Sequence, residues 1–600
     1  MEMSDRFGWP DYLVLALVLA VSVLIGIYHG FRGGGQQTTD EYLLAGRHMR
    51  LLPVGFSVLA SFLSAISVLG VPVEIYAFGG AFWVNSFSYF ISVPITAHVF
   101  IPLFHRLKLR SVYEYLEMRF CYRIRVLGCL VFTIQMVVYM AVVFYAPALA
   151  FSHVSGLSMW VSVLAVGVIC TLYTTVGGLK AVIWTDVFQI LVVIAGLLAL
   201  IIKGTLQAGG VKSVWDKAAD GGRLDIFNFD PDPLVRHTFW TLVFGGAVTT
   251  LSVYAVNQAL VQRYLCVRDL KHAQGTIYFN LPTNIMTTTL LTALGLVAYA
   301  NYKDCDPLRS GRITRLDQLV PLLVMDTLGM APGLPGLFVA CVFSAALSTV
   351  SSGTNALALV HLEDIIKPIF KMARGTSMTE RYSTITSKVL ALFFGVLTIG
   401  LAFLSSILGR TILQITLSSF GMTGGPLLGL FLLAIFFPFS NSWGAVAGLT
   451  SALGFSFWVA IGAIVNRPPL PILSLNTDGC LMNTTNATYD VVTSWTTTAF
   501  TTLASANMTS IPKGSGYTSL ELYRLSYMWY SAVAVVICVI VGLVVSFLTG
   551  GQRGRVVNPD LVISVWGKIS RWCPKNKRNN YTFTSDAETH ILPELSSPHR

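Results

Sequence analysis

The chain has 600 residues, 54% hydrophobic and only 12% charged, with a mean hydropathy of +0.67. Soluble domains carry about 25% charged residues; here apolar runs of membrane-spanning length recur along nearly the whole chain, which excludes a soluble globular protein. The net charge of +11 is not a nucleic-acid signature, because the basic residues sit in short loops and are not interleaved with stacking aromatics.

Thirteen spans are expected, at roughly 10–31, 51–78, 80–104, 124–151, 157–176, 182–203, 238–260, 274–300, 334–362, 388–408, 411–437, 443–465 and 525–549. The expected class is an all-α polytopic membrane protein. The first span does not resemble a cleaved signal: Trp9, Pro10 and Asp11 precede it and no small-residue cleavage site follows.

The second span, LLPVGFSVLASFLSAISVLGVPVEIYAFGG, carries Ser61, Ser64 and Ser67 midway and Pro72 shortly beyond. Pro72 removes an amide donor and pushes the preceding residue from helical angles, so a break or a simple kink is expected there. A break would free carbonyls at mid-membrane, where irregular backbone is tolerated only when buried in protein or lining a cavity. Span four offers Gln135, Tyr139 and Tyr145, polar groups that bond neighbouring helices or face a cavity. Asp186, in KAVIWTDVFQ, is the one acid expected within the membrane, near the inner face. It is a functional group, since acids at that depth are costly, or an N-terminal cap in the headgroup region.

Span seven, TFWTLVFGGAVTTLSVYAVNQALVQRYL, has Gly245-Gly246 followed by Thr249, Thr250, Ser252, Tyr254, Asn257 and Gln258. Two interrupted polar helices about five spans apart point to an inverted-repeat transporter, with spans 2–6 and 7–11 as the repeats. Span nine is apolar yet carries Ser344, Ser348, Thr349, Ser351, Ser352, Thr354 and Asn355. Its hydroxyls either bond back to carbonyls one turn earlier or supply oxygens to a small hard cation. Ser348 and Thr349 point about 100° apart, so both reach one ion only in the wedge between them. Gly424-Gly425-Pro426 marks a closely packed span eleven.

The Ser/Thr-rich segment 466–524 holds three glycosylation sequons, at Asn483, Asn486 and Asn507, and is expected outside. Asn580, in the tail, also fits the pattern. An outside N-terminus places 26 of the 40 Lys and Arg residues inside, with six in 105–125 alone, and gives a cytoplasmic C-terminus. The tail 550–600 is polar and basic, and disorder is expected in its later part. The nine cysteines show no CxxC or metal spacing; Cys305 and Cys480 both fall in expected outside loops and could pair. His98, His105 and His361 have no ligand spacing. No P-loop, GxSxG or HExxH pattern occurs, which speaks against an ATP-driven pump and a membrane enzyme. A passive solute channel would need a continuous polar pore, whereas the polar residues cluster at mid-depth.

Taken together, ASFLSAISVLGVPVEIYAFG, YEYLEMRF, GGLKAVIWTDVFQ, VNQALVQRYL, LPGLFVACVFSAALSTVSSGTNALALVHLEDIIKP and GGPLLGLF resemble the sodium/solute symporter family along nearly the full chain. PDPLVRHTFWTLVFGG, YRLSYMWYSA and GLVVSFLTGGQRGRVVNP resemble the branch that imports the carboxylate vitamins biotin, pantothenate and lipoate; branches carrying monocarboxylates or iodide are the alternative. The resemblance implies a LeuT-like symporter fold with five helices per repeat, in a membrane domain over 1–549. It implies plasma-membrane uptake of a small organic anion coupled to Na+. By the same resemblance, sodium ligands map to the Ser348 and Thr349 hydroxyls and the Ala60, Leu63 and Ala345 carbonyls. Asp186 and Ser351 map to a second sodium or its exit path, and Ser64, Ser67, Asn85, Tyr139, Thr250, Tyr254 and Phe420 to the substrate region. One departure stands out. That branch and the monocarboxylate carriers are expected to read EIYRFG or EVYRFG, with arginine where this chain has Ala77. An arginine near the outer mouth would attract a carboxylate.

Overall fold

The computed structural model describes residues 7–31, 38–405, 412–466, 472–480, 521–551 and 558–563. The sequons at Asn483, Asn486, Asn507 and Asn580, and the tail beyond 563, lie outside the described residues.

A chain in lipid must satisfy its backbone polar groups internally, and helices are the local solution. The described residues are accordingly helical, with no strands. The principal helices are α1 (Trp9–Phe31), α2 (Leu51–Phe62), α3 (Ala65–Phe78), α4 (Gly80–Arg106), α5 (Tyr122–Ser155), α6 (Met159–Gln207), α7 (Val211–Asp220), α8 (Gly246–Val256), α9 (Gln258–Leu265) and α10 (Leu270–Tyr302). They continue with α11 (Leu319–Leu328), α12 (Leu334–Val360), α13 (Glu380–Ser405), α14 (Ile412–Phe436), α15 (Ser442–Asn466) and α16 (Tyr530–Leu548). Among the described residues ten helices are long and apolar enough to cross a membrane, and the bent pair α2–α3 makes an eleventh. Two shorter apolar helices, Met159–Thr171 and Thr241–Val256, occupy the places of the fifth and seventh expected spans.

Helix α12 is the axis of the bundle. It packs against α1, α2, α3, α5, α6, α9 and α13, and is buried from Phe338 to Val360. Small residues allow these approaches. A Cβ on Gly196 of α6 would sit 2.6 Å from Cys341 Cβ of α12. The carboxylate of Asp11 accepts the amides of Gly333 (3.0 Å) and Gly336 (3.1 Å), capping the start of α12 from α1. On α14, Gly421, Gly425 and Gly429 recur every fourth residue and face Tyr530, Ser531 and Cys538 of α16.

Both helix breaks lie elsewhere than at the expected residues. α2 and α3 meet at 57°, with Leu63 (φ −77°, ψ 73°) and Ser64 (φ −84°, ψ 167°) at the junction. Pro72 lies inside α3, which continues past it to Phe78. A proline there costs one amide bond, whereas the Leu63–Ser64 junction interrupts a whole turn. The ladder ends with Leu63 N–H on Leu59 O and resumes with Ser67 and Val68 N–H on Ser64 O. Likewise Gly245-Gly246 is not the second break. The chain passes through it in helical angles and departs at Asn257 (φ −82°, ψ 119°), whose side chain accepts the Ala259 amide. The two glycines are close-approach points instead: a Cβ on Gly245 would meet Met528 O at 2.6 Å, and one on Gly246 would collide with Asn85 Oδ1.

Cys305 and Cys480 form a disulfide, with Cα atoms 4.9 Å apart. It fastens 472–480 across the end of α3, where Leu473 N–H donates to Ala77 O at 2.9 Å.

The α14–α16 contact gives a direct test. In Gly425→Ala the new Cβ would lie 2.7 Å from both Cα and O of Ser531. Overpacking of this kind costs about 1–3 kcal/mol. We expect a lower thermal midpoint in fluorescence-detected size exclusion, and an unchanged midpoint would contradict this packing.

Candidate functional site

Asp186 is fully buried on α6, well inside a helix that is kinked at Gly178, so it is not an N-terminal cap. Three helices converge on its carboxylate. Ser57 of α2 donates to Oδ2 at 2.5 Å, Arg263 Nη2 of α9 donates to Oδ2 at 3.0 Å, and Ser348 of α12 donates to Oδ1 at 2.7 Å. Arg263, grouped by sequence with an inside loop, is fully buried.

The hydroxyls of α12 divide between the two readings. Ser351 and Ser352 bond back to Ser348 O, at 3.1 and 2.6 Å. Ser348 crosses to Asp186. Thr349 does both, donating to Ala345 O at 3.1 Å and to Ser61 O at 3.2 Å. Ser61 is adjacent to Ala60 in the last turn of α2, and Leu63 is the first residue past it. The structure therefore brings Thr349 against the last turn of α2, which holds Ala60 and ends at Leu63, whereas Ser348 turns to Asp186. Ser351 lies one turn further along α12.

Beside the break is a cavity of about 150 Å³. Ser64, Ser67, Asn85, Tyr139, Thr250, Tyr254 and Phe420 all line it. Tyr139, buried on α5, lines the cavity together with Ser64 at the helix break. Aromatic rings form one wall, with Tyr139 edge-on to Phe420 at 4.8 Å and Phe62 at 6.1 Å from Phe420. The lining contains hydroxyls and carboxamides but no charged side chain.

Sequence reasoning missed Asn284, Thr287 and Thr288 on α10, which also line the cavity. Asn284 donates to the Tyr254 hydroxyl at 3.0 Å. Their signal was the polar run NIMTTT inside an apolar span. It also missed Glu74, another fully buried acid, visible only as the lone charge in VPVEIYAF. Arg236 Nε donates to Glu74 Oε1 at 2.7 Å and Nη1 to Gln414 at 3.3 Å, linking α3 to α14. Ala77 is fully enclosed, and a guanidinium is nevertheless close by, because Arg236 stacks on the Phe78 ring at 4.2 Å.

The family model of the sodium:solute symporters matches residues 42–451. The chain belongs to the sodium:solute symporter family. The sodium-dependent multivitamin transporter of Oryctolagus cuniculus is 44% identical over 597 residues, covering 99% of this chain and 91% of that protein. Sodium-coupled monocarboxylate transporter 1 of Homo sapiens is 46% identical over 551 residues, covering 90% and 88%. Sodium-coupled monocarboxylate transporter 2 of Homo sapiens is 42% identical over 580 residues, covering 96% and 90%. Among solved structures, a substrate-bound, outward-open Na+-coupled sialic acid symporter matches with TM-score 0.69 at 24% identity, over 90% of this chain and 98% of that one. The fold is thus the all-α, LeuT-like symporter fold. The protein is a multi-pass membrane transporter, not an enzyme, and Na+ is its co-transported ion.

Asp317 lies in the turn Leu316–Gln318 before α11, against the start of α14. Asp317, outside the spans, accepts the Ile412 amide at 3.3 Å, and burial raises its carboxyl to about 6. The sign follows from linkage: an acid whose folded value is raised stabilises least when ionised in both states. Stability is therefore lost as pH rises from about 4 to about 6. Thermal midpoints across that window should fall in the wild type, with a smaller fall in Asp317→Asn. Equal slopes would remove Asp317 as the cause.

Proposed function

We propose that this protein imports small organic monocarboxylates across the plasma membrane, with biotin, pantothenate and lipoate as its substrates. The observation that carries this reading is a part-apolar cavity with neutral hydrogen-bond donors and no charged side chain, set against a broken helix. A monoanion there meets Ser64, Ser67, Asn85, Thr250, Tyr254 and Asn284, while its body packs on Phe62 and Phe420. Its charge is balanced by sodium held by the Ser348 and Thr349 hydroxyls and the Ala60, Leu63 and Ala345 carbonyls. Sodium leaves past Asp186 and Ser351.

Likeness to the multivitamin transporter, 44% identical over 99% of the chain, supports the vitamins, and likeness to monocarboxylate transporter 1, 46% identical over 90%, supports a short monocarboxylate. A short monocarboxylate is the second reading, because a cavity of about 150 Å³ is small for a vitamin. Ligand sites for larger molecules run from about 300 Å³ upward.

A carrier fits better than a passive channel. Buried ion pairs, Arg236–Glu74 and Arg263–Asp186, tie together the helices around the cavity, and the cavity's own lining carries no charge. The disulfide supports an extracellular position for its two segments, since such bonds persist in oxidising compartments. We place the N-terminus outside, the tail 550–600 inside, and glycans at Asn483, Asn486 and Asn507. The membrane domain covers 1–549, with the two inverted repeats over the helices from α2 to α6 and from α8 to α14.

The driving force is adequate. Each charge crossing 100 mV contributes about 2.3 kcal/mol, so one net sodium concentrates substrate about fiftyfold from voltage alone.

Uptake of radiolabelled biotin should require sodium, fail in choline and be blocked by pantothenate. Inhibition by a short monocarboxylate without biotin uptake would transfer the assignment to the second reading. The double variant Ser348→Ala, Thr349→Ala should abolish sodium-dependent uptake at normal surface density. Uptake at the wild-type rate would sink the sodium assignment.

A further inference from the structure

We infer that Arg263 is a tethered counter-cation that alternates with sodium on Asp186. It holds the carboxylate in the empty carrier, yields it when sodium binds, and retakes it when sodium leaves. The inference rests on the reading that sodium binds beside Ser348 and passes Asp186.

Every nitrogen of the guanidinium is engaged. Nε donates to Ser57 Oγ at 2.7 Å, Nη1 to Ala259 O at 2.6 Å, and Nη2 to both Asp186 and Ser352 Oγ. The oxygens around Nη2, a carboxylate and a serine hydroxyl, are the donors that a hard cation takes. Ser348 donates to the other oxygen of the same carboxylate. Arginine and sodium are therefore drawn to one negative charge from adjacent positions, since among the described residues Asp186 is the carboxylate that Ser57, Arg263 and Ser348 all bond.

The charge balance gives the pair a task. A symporter that has released sodium and substrate must return empty. A bare carboxylate, fully buried, would oppose that return through its desolvation cost. Arg263 neutralises it with a cation that cannot diffuse away.

Its placement suits such a shift. Arg263 lies on α9, a helix of eight residues joined to α8 through the non-helical Asn257. Because Nη1 bonds Ala259 of the same helix, the guanidinium moves with α9. The rest of α9 is tied to the inner ends of other elements: Gln258 donates to Arg110 O, and Gln262 to Leu43 O. Rearrangement at the inner end would thus reach Asp186 through Arg263.

The test uses full-length protein, purified for radiolabelled-sodium binding and reconstituted for transport, at alkaline pH so that a proton does not replace the arginine. In Arg263→Gln the competitor is gone. Half-saturating sodium should fall about tenfold, as expected when a site occupied most of the time by its rival becomes free. Net uptake of radiolabelled pantothenate, or of lactate if the wild type takes that instead, should slow for want of the empty return. Exchange of the same solute, which skips that step, should persist. Arg263→Lys keeps the charge but cannot make the forked contacts, so its sodium affinity should lie between the two.

A merely structural arginine predicts the reverse: weaker sodium binding, with net uptake and exchange reduced together. Either result overturns the inference, as does unchanged sodium affinity in Arg263→Gln or Arg263→Lys. Binding to purified protein does not depend on surface delivery. Absence of sodium binding in the wild type would instead remove the reading on which this rests.

Discussion

A carboxylate with no access to water organises the core of this transporter. Lipid offers helices little hydrophobic reason to associate, so packing and polar contacts decide how they meet. Asp186 supplies one such set of contacts, reaching α2, α9 and α12 from α6. The elements it ties together include one side of each helix break. The loosened backbone at Leu63–Ser64 and at Asn257 is buried in protein instead of facing lipid, which is the condition under which irregular backbone survives at that depth.

Much of the architecture is written in the sequence, because span-length apolar runs admit few solutions. The expected spans coincide with helices to within a few residues at most ends, and the seven residues expected around the substrate line one cavity. Local chemistry proved a poorer guide. Pro72 and Gly245-Gly246 are the conspicuous helix breakers, yet a proline inside a packed helix costs one hydrogen bond and glycines can serve as contact surfaces. The breaks fall at Ser64 and Asn257, polar residues that each open the following helix from an extended conformation, and Asn257 caps its helix by accepting the Ala259 amide. Serine and asparagine recur throughout these spans, so neither residue stands out in the sequence as the break.

Arg263 illustrates the same limit. Beside Arg268 and Lys271 it reads as one more cation of an inside loop. Its partner is 77 residues away on another helix, and only the fold shows that this arginine is buried while its neighbours are not. Arg236 is a further case. The sequence shows an alanine at 77 where relatives were expected to carry arginine, and the fold brings a different guanidinium onto the adjacent Phe78 ring.

The uncharged lining of the cavity fixes an order of events. An anion entering it alone would find neutral dipoles and no fixed countercharge, so on the proposed reading sodium arrives first and makes the cavity receptive. In the sodium-poor cytosol the ion departs and the anion loses the charge that held it. Loading and unloading are then timed by the concentration of sodium on each side, without any side chain in the cavity having to change its ionisation.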